Sequence, residues 1–301
     1  MTAARSSTND RSGLLVALAG FALLSVGDAV VKSIAGEWPP TAIAALRYVL
    51  GAAGLSAMLL ATEGRAAFRF VRPGAQLVRG ASVAVATVAF FGSLQLMPLA
   101  EATSIVFASP IITAALAPLV LRERTGPATW AACLVAFAGV LIVLRPNLAP
   151  LGIAALLPLV SAFAMSALFM ANRSVAGSAS ALAMQAVLAL IAAPILILAA
   201  AAGHASGLPA LAISTPSLEV VAKCAFVALS ASSAHWLIYL GTTRAGASRI
   251  APMTYVQLLV ATALGWWWFG DRPDAMAVGG AALIIGAGLL LWRWGGPERR
   301  A

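Results

Sequence analysis

The chain has 301 residues, of which 61% are hydrophobic and 10% charged, whereas ordinary soluble domains hold roughly 45–50% and about 25%, so composition excludes water as its main solvent. The net charge of +9 is carried by arginines distributed over many short segments, which argues against a nucleic-acid face. Cys133 and Cys224 lie in separate apolar runs without CxxC or other metal-ligand spacing, and neither a disulfide nor a metal site is predicted.

After a polar tail over residues 1–12, apolar runs recur along the chain, each long enough to cross a hydrocarbon core of about 30 Å as a helix. The alternation of about ten residues that marks membrane strands is missing. Ten spans are predicted, over 13–34, 41–61, 77–97, 101–121, 127–144, 150–170, 180–201, 219–242, 249–269 and 274–293. The first resembles a signal peptide ending at Ser33-Ile34-Ala35, but cleavage would leave nine spans.

Ionisable groups inside hydrocarbon are costly unless paired or wetted, and each is a functional candidate. Asp28 in the first span and Arg47 in the second both fall about six residues from the same membrane face, roughly 9 Å deep at about 1.5 Å per residue. Lys32 follows Asp28 by one turn, so the cluster has a surplus cation suited to a carboxylate. Two readings fit it: a pair that locks two helices, and a direct role in binding solute or protons.

The third span offers Thr87, Phe91 and Gln95 on one stripe, and the seventh carries Gln185. The eighth has Ser232, His235, Trp236 and Tyr239 on one side, a polar and aromatic wall suited to an organic solute. Pro110, Pro118, Pro158, Pro194 and Pro252 interrupt spans and permit kinks. Glu123 and Asp271 end the fourth and ninth spans beside Arg124 and Arg272, where the helix dipole disfavours an unpartnered anion.

The segment LQLMPLAEATSIVFASPIITAALAPLVLRER (94–124) is echoed 148 residues later by TTRAGASRIAPMTYVQLLVATALGWWWFGDR (242–272). This shift pairs Phe91 with Tyr239, Pro110 with Leu258 and Glu123 with Asp271, while a shift of 138 pairs Arg47 with Gln185. Ten spans and one repeat give two five-helix halves over 13–146 and 147–293, with a tail over 294–301. An odd number of helices per half makes the halves inverted, as in many carriers, and the Thr87 and Ser232 stripes are expected to face each other across the pseudo-twofold axis.

Both termini then share one side. With them inside, inner segments hold fourteen arginines and outer loops only Arg145 and Arg272, which orients the chain with cytoplasmic termini. Trp38, Trp130, Trp266, Trp267, Trp268, Trp292 and Trp294 fall at span ends, the headgroup zone that amphipathic rings favour.

The stretch LMPLAEATSIVFASPIITAALAPLVLRERTGPATWAACLVAFAGVLIVLRP (96–146) resembles the repeat of the EamA-type drug/metabolite transporter superfamily. The second copy departs at Leu258 and Asp271. The resemblance implies an all-α membrane protein of ten transmembrane helices, an inverted repeat, and alternating access through a cavity between helices one to four and six to nine. It implies a secondary transporter in a bacterial-type inner membrane, a monomer or weak dimer without a cofactor. Export of amino acids, aromatic ones included, as in the YddG-like branch, fits the aromatic stripe and surplus cation. Alternatives are a carrier of another metabolite or drug, such as S-adenosylmethionine, and an intramembrane enzyme using Ser232 and His235, although no GxSxG or HExxH accompanies them.

Overall fold

The computed structural model describes residues 2–34, 36–93, 96–97, 99–123, 125–146, 152–270 and 272–294. They form α1 (Thr2–Lys32), α2 (Pro40–Thr62), α3 (Pro73–Ser93), α4 (Leu99–Val106), α5 (Ser109–Val120), α6 (Pro127–Leu144), α7 (Leu156–Ser174), α8 (Ala181–Ala205), α9 (Leu218–Ala245), α10 (Ala247–Ile250), α11 (Val256–Phe269) and α12 (Ala275–Trp294). Ten stretches are long and apolar enough to cross a membrane. Among the described residues there is no strand.

Helix starts follow local chemistry. Pro40, Pro73 and Pro127 open α2, α3 and α6, where a missing N–H costs nothing. Ser180 and Ser217 cap α8 and α9 by accepting from the amides of Ala183 and Val220, satisfying donors that have no partner within the helix.

The fourth and ninth spans, expected as single helices, are each broken. α4 gives way to α5 at Ala108, while a 3₁₀ stretch over Ala251–Tyr255 joins α10 to α11. The break recurs at the repeat spacing, since α5 starts at 109 and α11 at 256, one residue from the shift of 148. Phe107 and Tyr255, separated by that same shift, meet with ring centroids 5.8 Å apart. Repeat mates in contact mark the pseudo-twofold axis.

Each long helix packs most extensively against the opposite half: α1 on α9, α3 on α7, α2 on α8 and α6 on α12. Small residues allow this. Gly13, Gly20 and Gly27 recur every seven residues along α1; a Cβ on Gly20 would stand 2.8 Å from the Ala234 carbonyl oxygen, and one on Gly241 2.8 Å from that of Gly13. The ten crossings place the start of α1 and the end of α12 on one face, where the Arg11 guanidinium lies 4.9 Å above the Trp292 ring. That face is called the terminus-bearing face below, and the other the far face.

On the far face Arg145 donates to both carboxylate oxygens of Asp274, at 2.5 and 2.6 Å, joining the ends of the two halves. This hydrogen bond lowers the Asp274 pKa below the ordinary carboxylate value and raises that of Arg145. A carboxyl depressed in the fold adds stability above its unfolded pKa and loses it as pH falls through the folded value. Asp274→Asn is expected to lower the melting midpoint in detergent slightly at pH 7. The gap between variant and parent should close below about pH 4, near the unfolded aspartate value. A gap that does not narrow at all as pH falls below about 4 would detach it from the Asp274 charge.

Candidate functional site

One face of α1 shows how the interior is packed. Leu14, Phe21 and Asp28 recur every seven residues on a single stripe. Leu14 and Phe21 are buried in the core, with Phe21 edge-on to Phe169 of α7 at 6.0 Å, whereas Asp28 is exposed. This stripe is thus packed toward the terminus-bearing face and exposed at Asp28, while at the far end Ile34, Ile43, Val220 and Cys224 hold α1, α2 and α9 together.

Near the middle of the bundle lies a narrow, half-open cleft, in which the empty space, open solvent included, is about 330 Å³. α2 supplies Arg47, Tyr48, Gly51 and Leu55, α8 supplies Gln185, and α9 supplies Ser232 and His235. Gly51 makes room, since a Cβ there would lie 3.4 Å from the Ser232 hydroxyl oxygen. The Arg47 guanidinium carbon stands 5.2 Å from the Tyr48 ring centroid, and its Nε is buried without a hydrogen-bond partner. Arg47 lies close enough for its charge to act on both Asp28 and His235, but among the described residues no direct ion pair joins it to Asp28.

Arg47, Gln185, Ser232 and His235, drawn from three separate helices, are thus brought together. The other expected residues stand elsewhere. Thr87 bonds back to the Val83 carbonyl at 2.8 Å, and Phe91 packs on the cluster that includes Tyr48 and Leu188 behind the cleft wall. Trp236 is exposed beside the cleft-lining His235 and does not line the cleft itself. Lys32 is exposed at the end of α1, and Gln95 lies outside the described residues.

Tyr239 is buried, and its hydroxyl donates to the Val175 carbonyl at 3.3 Å. The expected meeting of the Phe91 and Tyr239 stripes does not occur, for a geometric reason. An inverted repeat carries mates to opposite depths in the membrane unless they lie near its middle; Phe91 is two residues from the far end of α3, and Tyr239 is six from the terminus-bearing end of α9. Phe107 and Tyr255 are central, and they are the mates that touch.

Beneath the cleft the packing is polar and closed. Arg79 of α3 is fully buried; its Nε donates to Asn172 Oδ1 at 2.7 Å, and its Nη1 to Gln76 Oε1 at 2.7 Å and to the Met184 carbonyl at 2.9 Å. Its guanidinium carbon lies 5.3 Å from the Tyr239 ring centroid. Counted from the sequence as one of the inner arginines, Arg79 sits six residues inside α3, because the helix begins at Pro73. The Arg-Pro pair at 72–73 is the signal that places that start.

Nearby, buried Glu123 takes a hydrogen bond from Nε of Arg173, whose Nη1 also donates to the Thr243 carbonyl at 2.9 Å. The partner that the helix dipole required for Glu123 comes from α7 of the other half, fifty residues along the chain. Among the described residues no group of His, Cys, Asp and Glu is placed to hold a metal ion.

Residues 11–145 and 152–293 each match the profile of the EamA-like transporter family. A riboflavin transporter of Rhizobium johnstonii is 32% identical over 76% of this chain and 74% of its own length. An S-adenosylmethionine uptake transporter of Rickettsia bellii is 25% identical over 76% and 75%, and a pseudopaline exporter of Pseudomonas aeruginosa 27% over 94% and 96%. One crystal structure superposes with a TM-score of 0.79 at 21% identity, covering 93% of this chain and 96% of that one; it supports the fold alone.

Proposed function

Since the chain belongs to the EamA-like transporter family, we propose that it exports amino acids, aromatic ones included, by alternating access through the central cleft. The observation that carries this reading is Arg47, a permanent cation with an unpartnered Nε in a mid-bundle cleft. Arg47 takes the carboxylate, Gln185, Ser232 and His235 orient the polar groups, and Tyr48 with Leu55 and Leu188 supplies contact for an apolar side chain. Asp28, exposed on the far-face side, offers a site for the amino group. Thr87 and Phe91 support the wall from behind.

The family and its relatives are transporters by name, and a small-molecule solute within a lipid bilayer follows from that. Fourteen arginines on one side of the predicted map support cytoplasmic termini and an inner membrane. In that orientation the far face is outside, and exposed Asp28 lies on that side of the cleft. The tight Glu123–Arg173 and Arg79 packing then forms the inner gate.

A second reading, transport of another organic metabolite, is favoured by the 32% identity to a riboflavin transporter. A competition screen on the reconstituted chain separates the two. Amino acids, riboflavin, S-adenosylmethionine and cationic drugs compete for counterflow, with and without an imposed pH gradient. Saturable inhibition by aromatic amino acids is expected. Inhibition by riboflavin alone selects the second reading, and chemical conversion of a solute without net movement would mark an enzyme.

A further inference from the structure

Every partner of Arg79 is neutral. Asn172, Gln76, the Met184 carbonyl and the face of Tyr239 surround a fully buried guanidinium, and Nη2 has no hydrogen-bond partner. An arginine does not shed its proton in a protein, and a buried charge without a counter-ion is strongly unfavourable. Structural packing alone is better served by an apolar residue or a paired ion. The Glu123–Arg173 pair nearby is neutral as a unit and supplies no spare anion.

The position of this cation is as informative as its charge. Met184 precedes the cleft-lining Gln185 on α8, and Tyr239 lies one turn beyond the cleft-lining His235 on α9, in each case toward the terminus-bearing face. His235 feels the charges of both Arg47 and Arg79. Arg79 is the next station below the cleft floor.

The cluster also straddles the seam between the halves. Arg79 and Gln76 belong to α3 of the first half, while Asn172, Met184 and Tyr239 belong to α7, α8 and α9 of the second. Separating the halves at this end removes three of the four partners at once and leaves a guanidinium fork facing the passage. A carboxylate in the closed cluster would compete with any anion in transit; neutral amides and a carbonyl leave the guanidinium charge unbalanced, and an anion that replaces them supplies the missing counter-charge.

We propose that Arg79 is a second anion-binding station, which takes the anionic group of the solute as the terminus-bearing gate opens, so that the cargo bears a carboxylate or a phosphate. This rests on the reading of the chain as an alternating-access carrier, and it adds both a site and a charge requirement.

The test uses the full chain in proteoliposomes and two probe pairs that differ at the anion: tryptophan with tryptophanamide, and riboflavin 5′-phosphate with riboflavin. Counterflow and equilibrium binding are measured for the parent, Arg79→Gln and Arg79→Lys. In the parent, an anionic probe should move at least tenfold faster than its partner, and the pair that responds identifies the carboxylate or the phosphate as source. Arg79→Gln should lower the ratio of flux to binding for that anion at least tenfold, and Arg79→Lys should restore part of it. Unchanged flux in folded Arg79→Gln overturns the station. If Arg79→Gln does not fold, the parent decides: equal movement of both members of each pair overturns the station while leaving the carrier intact. No saturable counterflow of any probe or of the wider amino-acid panel overturns the carrier reading, and the station with it.

Discussion

Arg47→Gln is expected to raise the half-saturating concentration for a carboxylate solute by about ten- to a hundredfold, with folded protein retained in detergent. A hydrogen bond to a charged group contributes about 1.5–3 kcal/mol, and about 1.4 kcal/mol corresponds to tenfold in affinity. The alternative role of Arg47, as half of a helix-locking pair with Asp28, predicts loss of folding together with transport. The geometry favours the first outcome. Among the described residues Arg47 forms no ion pair with Asp28, its Nε is unpartnered, and its guanidinium lies against Tyr48 at 5.2 Å. Glutamine keeps a polar group in the cleft and removes only the charge and the fork. Arg47→Lys should fall between the two, because lysine keeps the charge but not the bidentate geometry. Saturation curves for counterflow and size-exclusion profiles of the three proteins check this. A variant that elutes as aggregate, with Asp28→Asn behaving alike, would return the pair to a structural role.

Much of this arrangement was legible in the residue string because lipid imposes simple demands. Ten apolar runs yield ten crossings, and a shift of 148 residues foresees that two spans share one architecture; their breaks then fall within one residue of that spacing. Arg47, Gln185, Ser232 and His235 stand out as polar residues in apolar runs, and they converge on one cleft. What the string conceals is depth and rotation. Arg79 reads as a cation at the inner end of the third span until the helix start at Pro73 places it six residues inside α3. Tyr239 shares a stripe with His235, but one turn of descent takes it out of the cleft and under Arg79. Glu123 has an arginine beside it in sequence and takes Arg173 from another helix instead. Hydropathy reports which segments enter the membrane; the level at which a side chain meets its neighbour depends on where each helix starts and how closely two backbones approach.

That close approach sets backbone against backbone where α6 crosses α12, and Gly139→Leu is expected to abolish the folded, monodisperse protein. A Cβ added at Gly139 would stand 2.7 Å from the Gly280 carbonyl oxygen and 2.9 Å from Ile284 Cγ1, and one added at Gly280 2.6 Å from the Gly139 carbonyl oxygen. The obstruction is backbone on both sides, so no rotamer change relieves it and the two helices must separate. Overpacking by a methylene or so costs about 1–3 kcal/mol; a leucine at a backbone crossing adds four carbons and removes the contact that joins the halves at their fifth and tenth spans. Gly139→Ala isolates the packing effect from intrinsic helix preference. Alanine favours a helix by about 1 kcal/mol over glycine, so a lower melting midpoint for Gly139→Ala means that the clash outweighs the propensity gain. Gly286→Leu on α12 serves as the control, since a Cβ there meets nothing within 4 Å, and it should elute and melt like the parent. If Gly139→Leu does the same, α6 and α12 are not held together at this crossing, and the inter-half contact must be carried by α1 on α9, α3 on α7 and α2 on α8.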